Sequence, residues 1–262
     1  MGGELGIHGY NHQPLVPPGY QNDEPDYVPW QNEDDMEEAL TEINRYVHEA
    51  FPKYKFRAYV PPSNILSPQG REAILESLPD IRILSSLYDG SAEEEAYYQE
   101  FQREENGVYD IPRITAGYNP TGLDLYFECT VITSIGVFNH FVHPDELFYE
   151  ESKDKTWHMM KEGLQEFLKQ IDSRYGWLTA VTASESLPYF DSYFNLDYRV
   201  LRKPDELEIH CWNYTHEASF LLRSTKEVAS SKDCHVQKIG DEMYFVKITG
   251  PEAHIYWKGS SL

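Results

Sequence analysis

The chain has 262 residues, enough to bury one large core, or one large and one small core. Its formal net charge of −22 argues against nucleic-acid binding, because proteins that bind a phosphate backbone concentrate lysine and arginine on one face. No apolar run reaches the roughly 18 residues of a membrane span, and three cysteines without metal-type spacing indicate neither a disulfide framework nor a cysteine–zinc site.

Strand and helix patterns alternate along the first two thirds of the chain, which is typical of β/α units around a parallel sheet or barrel. After an opening strand, an amphipathic helix is predicted by apolar residues at helical spacing, namely Met36, Leu40, Ile43, Val47 and Phe51. Residues 55–60 are predicted to form a strand that ends at Pro61-Pro62. Ser67 is predicted to cap a helix that begins at Pro68.

The middle of the chain continues this alternation less regularly. Residues 81–87 are predicted to form a strand, and residues 89–122 an irregular excursion with a short strand near 109–114. Residues 123–135 suit a helix or a strand, and residues 136–143 a buried strand. A further helix is indicated by the apolar stripe Trp157, Met160, Leu164, Phe167, Leu168 and Ile171.

From about residue 195 the apolar residues alternate with period two, and turn signals separate the runs. The predicted fold class is therefore α/β, with an incomplete β/α barrel over residues 1–195 and a small antiparallel β-sandwich over residues 196–262. Exposed aromatics of the sandwich, such as Trp212 or Trp257, could bind glycan; the alternative is that they fill its core.

The segment from Glu4 to His12 ends in two histidines four residues apart, His8 and His12. In a helical turn this spacing places both imidazoles on one face, where they can bind one divalent ion. Two ordinary loop histidines are the alternative interpretation.

Three segments resemble polysaccharide deacetylases of the NodB type. Residues 4–12 resemble that family's second motif, residues 56–62 its third motif of an arginine followed by prolines, and residues 141–145 its late motif with a histidine. The order and spacing fit a bacterial branch with a His-Pro-Asp segment. The resemblance covers roughly residues 4–195, with specific residues only at these three places.

The resemblance implies a metal-dependent hydrolysis of N- or O-acetyl groups on a polysaccharide. His8 and His12 would bind a divalent metal, zinc by preference, and His143 would act as the general acid. His140 competes for that role, but His143 stands nearer the carboxyl end of its strand, where barrel active sites gather. The alternative for His143 is a polar residue that caps a core strand.

Arg57 would orient the catalytic base by this resemblance; a surface ion pair with a carboxylate is the alternative. The expected substrate-binding residues are Tyr10, Asn11, Tyr59 and Asp145, and Asp145 could equally cap the following helix.

The family's first motif is an aspartate pair upstream of the histidines, and it has no counterpart here. Asp34-Asp35 follows the histidines and suits the amino end of a helix. We therefore expect a truncated piece of a longer protein, weak or inactive by itself, whose full-length form works outside the cell or in the cell envelope. A glycoside hydrolase on a related barrel, or a noncatalytic glycan-binding or export component, are the alternatives.

Overall fold

A computed structural model describes residues 2–20, 28–88 and 97–259. Part of the predicted excursion, residues 89–96, lies outside the described residues. The chain divides into two compact units, Met1–Thr179 and Ala180–Leu262. The sequence pattern had placed this boundary after residue 195. None of the described helices is long and apolar enough to cross a membrane.

Five α-helices lie within the described residues. They are α1 (Glu33–Ala50), α2 (Pro68–Ser77), α3 (Gly122–Ser134), α4 (Trp157–Arg174) and α5 (Ala183–Asn195). The predicted start of α2 is confirmed, because the Ser67 hydroxyl accepts a hydrogen bond from Gly70 N at 2.9 Å. Asp34 and Asp35 lie in the first turn of α1, where the helix dipole favours negative charge.

Short strands form the sheets of the first unit. They are β1 (Ala58–Tyr59), β2 (Ile83–Leu84), β3 (Gln102–Arg103), β4 (Tyr109–Asp110), β5 (Thr115–Ala116) and β6 (His140–Phe141). β1, β2 and β4 pair in parallel, with β3 antiparallel at the edge of β4, and β5 pairs with β6 in parallel. Ile7 adds a further parallel bridge at Tyr59. The mixed α/β class is thus confirmed, although the described residues form no closed barrel.

The core of the first unit explains the helical stripe predicted for α1. Met36 and Leu40 are fully buried, together with Ile7, Tyr59 and Leu84 from the strands. Ile43 and Val47 continue the same face and are partly buried against this cluster, whereas Phe51 ends the helix and is exposed. The apolar stripe therefore covers the parallel strands, as its spacing predicts.

The second unit consists of α5 and two antiparallel sheets. The strands are β7 (Asp197–Arg202), β8 (Glu206–Trp212), β9 (Ala218–Arg223), β10 (Val228–Lys232), β11 (Cys234–Gly240), β12 (Met243–Ile248) and β13 (Glu252–Trp257). Their orders are β10-β13-β8-β7 and β11-β12-β9. Alternate residues of β8, β12 and β13 are buried in one shared cluster, which confirms the period-two pattern. Cys211 and Cys234 are buried free thiols.

Candidate metal centre

His8 stands at the carboxyl end of the parallel strands. Ile7 N donates to Ala58 O and Val60 N donates to Ile7 O, both at 2.9 Å, so the chain from Ile7 runs alongside β1. The next residue, His8, donates from Nδ1 to the carbonyl oxygen of Val60 at 2.8 Å. A carbonyl only accepts, so Nδ1 carries the proton and Nε2 keeps a lone pair.

The two predicted ligands come together, but not on a helix. The ring centroids of His8 and His12 lie 4.8 Å apart, with the planes at 73°. Gly9, Asn11 and His12 have φ of 71°, 52° and 56°, so the segment is a left-handed turn. The helical-turn argument for this pair was therefore wrong in its local geometry, because three left-handed residues curl the chain back within five positions.

Gly9 is required by the close approach of two loops. A Cβ at Gly9 would lie 2.5 Å from Pro62 Cγ, and the positive φ already disfavours other residues. Together with the bond from His8 to Val60, this contact joins the histidine turn to the loop that follows β1. The glycine within His-Gly-Tyr-Asn-His thus follows from packing.

The ring separation of this pair suits two ligands of one divalent ion, although a zinc site takes at least three protein ligands. In a tetrahedral site, zinc–nitrogen bonds of about 2.0 Å at an angle of about 109° place two imidazole centroids about 5 Å apart. The observed 4.8 Å meets this requirement. The bond from Nδ1 to Val60 is also the kind of outer contact that fixes the tautomer of metal-binding histidines.

His143 belongs to the same neighbourhood as the histidine pair. Burial lowers the pKa of His8, the hydrogen bond to Val60 raises it, and the charges of His12, Arg113 and His143 lower it further. Such charge effects act over about 10 Å or less. His143 follows β6, which pairs with β5 in a separate sheet, and its charge effect on His8 indicates that its imidazole lies near the histidine pair.

Arg113 is the arginine of this neighbourhood, and sequence reasoning missed it. Its side chain is buried, its Cζ lies 4.1 Å from the ring centroid of Phe141, and its guanidinium donates to Ser86 O at 3.4 Å and to Asn64 Oδ1. The Phe141 ring in turn meets the His143 ring edge-on at 4.4 Å. The strand predicted near residues 109–114 contained Arg113, but the proline-rich segment favoured Arg57.

Arg57 lies at the other end of β1, away from the histidines. It donates to the backbone oxygen of Asp80 at 3.0 Å and forms an ion pair with the Asp80 carboxylate at 3.4 Å. Arg57 precedes β1, whereas His8 contacts Val60, which follows it. The surface ion pair left open by the sequence is the arrangement that the structure has.

Tyr10 and Asn11 lie between the two ligands but differ in surroundings. Asn11 is exposed. Tyr10 is half-buried, and its carbonyl accepts from Gln13 N at 3.0 Å. The pKa of Tyr46 in α1 is raised by its bond with Glu42 and also by Tyr10, so the Tyr10 phenol lies near α1.

Two further predicted residues do not face a substrate. Tyr59 is fully buried in the core, and burial raises its pKa. It was expected to bind substrate, but its position within β1 turns it into the apolar cluster. Asp145 is exposed and accepts from the Tyr149 hydroxyl at 3.4 Å, within a 3₁₀ turn (Pro144–Phe148). Asp145 does not cap the following helix either, because His143 is the N-cap of this turn and Thr156 is the N-cap of α4.

Glu146 holds the segment that carries His143. Its Oε1 accepts from His143 N at 3.2 Å and its Oε2 accepts from Tyr118 N at 3.3 Å. Sequence reasoning passed over this residue, although an acidic side chain three positions after a turn begins is a capping signal. Glu146 therefore positions the backbone of His143.

His140 belongs to a separate buried network on the other side of β6. Its Nε2 donates to Gly117 O at 2.8 Å, its Nδ1 lies 2.8 Å from Thr115 Oγ1, and its ring lies against Phe167 of α4. Thr115 Oγ1 also bonds to Glu128 Oε1 at 2.5 Å. These contacts direct His140 toward the helices, in agreement with the preference for His143.

A second group of ligand-type side chains lies in the second unit. Glu206, Glu208 and His254 bring one ligand atom each within 4.8 Å of one another. The Lys203 ammonium bonds to both carboxylates, at 2.7 Å from Glu206 Oε1. Lys203 already offsets one of the two carboxylate charges, so this group is a partly buried ion-pair network.

The fold is that of a mixed α/β protein in which His8 lies at the carboxyl end of the parallel strand β1. The chain belongs to the DUF2194 family, described as uncharacterised proteins conserved in bacteria, whose profile matches residues 1–245. No curated protein matches the chain, and no solved structure does.

Proposed function

We propose that this protein is a metal-dependent carbohydrate deacetylase that hydrolyses N- or O-acetyl groups of a polysaccharide. The observation that carries the proposal is the pair His8 and His12. Their ring centroids lie 4.8 Å apart, and Nε2 of His8 has a free lone pair. We propose further that the parallel strands form part of an open β/α barrel and that the second unit is a β-sandwich. Polymers of this kind lie outside the cell or in the envelope, where we place this activity.

In acetyl hydrolysis some of these residues would bind a metal ion and another would transfer a proton. His8 and His12 would hold a divalent ion, which when bound polarises a carbonyl and lowers the pKa of water. His143 would protonate the leaving amine or hydroxyl, since its charge acts on His8 and its imidazole therefore lies near the pair. The proximity of Arg113 adds positive charge where negative charge develops during acyl transfer.

The side chains given a role above do not include a catalytic base. Within the part of the chain that the structure describes, the side chains whose charges shift the pKa of His8 are His12, Arg113 and His143, and none is a carboxylate. A glycoside hydrolase would need two carboxylates beside the scissile bond, whereas the deacetylase mechanism needs one as its base. We expect weak zinc binding and slow acetate release from this chain, because a general base contributes about a hundredfold or more.

The test combines zinc calorimetry with acetate release from N-acetylglucosamine oligomers. His8→Ala and His12→Ala should each abolish zinc binding and the residual zinc-dependent release. His158→Ala is the matched control, because this histidine is exposed on α4 and should change neither. A form that carries an Asp-Asp pair ahead of Glu4 should release acetate about a hundredfold faster.

Two results would contradict the proposal. Zinc binding that persists in both alanine variants would show that the metal does not bind at His8 and His12. Zinc bound at His8 and His12 without any acetate release, even from a form with the Asp-Asp pair, would favour a noncatalytic glycan-binding protein.

A further inference from the structure

A cleft in the second unit lies between the end of β8 and the loop before β13. It has a volume of about 530 Å³. Its lining residues are His210, Cys211, Trp212, Asp233, Gly250, Pro251 and Glu252. Two backbone bonds tie the wall together, from Cys211 N to Pro251 O at 2.7 Å and from Thr249 N to Asp233 O at 2.9 Å. The cleft is therefore a feature of the folded sheet rather than of a loose loop.

Trp212 presents an indole to this cleft. Its side chain is 52% exposed, whereas Trp257, the other aromatic considered for glycan binding, is 6% exposed in the core. Trp212 is the last residue of β8 and lies on the face opposite the buried residues of that strand. A half-exposed indole beside a cleft can stack on the apolar face of a sugar ring and attract a cation.

Two carboxylates line the cleft, and Arg199 of β7 is the cross-strand neighbour of His210 on the same face as Trp212. Asp233 and Glu252 line the cleft, and His210 lies between the carboxylates of Glu208 at 3.3 Å and Glu252 at 3.9 Å. Among the described residues that line the cleft there is no lysine or arginine. Lys232 approaches Asp233 to 4.0 Å, but both side chains are more than half exposed, so water screens this pair.

We infer that this cleft binds a cationic aminosugar polymer, with a pyranose ring on Trp212 and its ammonium near Glu252 and Asp233. An ammonium is complementary to both features, because carboxylates and an indole face each attract a cation. An N-acetylated sugar offers the same ring without the charge. The inference rests on the proposed deacetylase function in its N-acetyl form, whose product carries such ammonium groups, and the second unit would hold the partly deacetylated chain.

Binding is measured by calorimetry at low salt, with the whole chain and two added probes, a glucosamine tetramer and an N-acetylglucosamine tetramer. The glucosamine tetramer should bind about tenfold more tightly than the acetylated one, because it adds a charged contact. Trp212→Ala should weaken its binding about tenfold, and Glu252→Gln about threefold. Tyr198→Ala is the control, because Tyr198 is exposed on β7 on the other face of the same sheet, opposite Cys211.

Polylysine is a second probe, because a chain of net charge −22 attracts polycations at many places. Trp212→Ala should leave polylysine binding unchanged and reduce only aminosugar binding. Equal affinity for the two tetramers, no effect of Trp212→Ala, or no binding of either tetramer would each overturn the inference. Binding needs no turnover, so a loss of tetramer binding in Trp212→Ala with zinc binding unchanged tests this inference separately from the deacetylase proposal.

Discussion

Replacing Glu128 by glutamine should make the stability of the first unit less dependent on pH. Glu128 is fully buried on α3, and burial raises its pKa to about 7, although hydrogen bonds from Thr115 and the Asn139 backbone and the charge of Asp124 also act on it. The Thr115 hydroxyl lies 2.5 Å from Glu128 Oε1 and 2.8 Å from His140 Nδ1. Since that hydroxyl has one proton, it donates to one of these groups and accepts from the other.

The magnitude follows from the raised pKa. Because each pKa unit corresponds to about 1.4 kcal/mol, a rise from 4.5 to about 7 corresponds to about 3 kcal/mol. A raised carboxyl pKa stabilises the folded state fully below pH 4.5, and this contribution is lost as the pH rises through about 7. Glutamine keeps the shape and stays neutral. Glu128→Gln should therefore exceed the wild type's free energy of unfolding by about 1 kcal/mol near pH 5 and by about 3 kcal/mol at pH 8.

The assay is urea unfolding followed by circular dichroism at 222 nm from pH 5 to pH 8. Four of the five described helices lie in the first unit, so this signal reports mainly on it. The difference between variant and wild type is compared at each pH, because the pKa of His140 is lowered by burial and adds its own loss of stability at low pH. Glu166→Gln, at an exposed site on α4, should show no pH-dependent difference. A constant difference between Glu128→Gln and the wild type from pH 5 to pH 8 would refute the reasoning.

Three further substitutions test the packing around the site. Tyr59→Phe should raise the free energy of unfolding by about 1 kcal/mol, because the buried hydroxyl has no hydrogen-bond partner among the described residues; a loss of stability in urea would show that it has one. Gly9→Ala should weaken zinc binding in calorimetry, since its Cβ would lie 2.5 Å from Pro62 Cγ, whereas Gly3→Ala meets open space and should bind like the wild type. Arg113→Lys should cost about 2 kcal/mol in urea unfolding, because lysine cannot reproduce the planar stacking and forked hydrogen bonds; an unchanged midpoint would contradict this role.

Local signals in the sequence predicted the regular elements well. The stripe of α1, the serine cap of α2 and the alternation of β8, β12 and β13 depend on residues within one or two turns of each other. The pattern of residues 123–135 suited both a helix and a strand, and the structure shows a helix there, α3. The sequence missed α5 and the edge strand β7, whose side chains are mostly exposed and so lack a strong apolar pattern.

The sequence by itself determined that His8 and His12 could approach one another, because four positions span a short distance in many conformations. Only the tertiary structure decided which arginine lies near these two histidines. Arg57 and Arg113 both flank short parallel strands, but one precedes its strand while the other lies beyond β4, next to Phe141 of β6. In the same way, burial separates Tyr59 and Trp257 from Trp212, although all three are aromatic residues in strands. Strand ends and sheet faces are set by pairings between residues distant in the chain, and no local pattern records them.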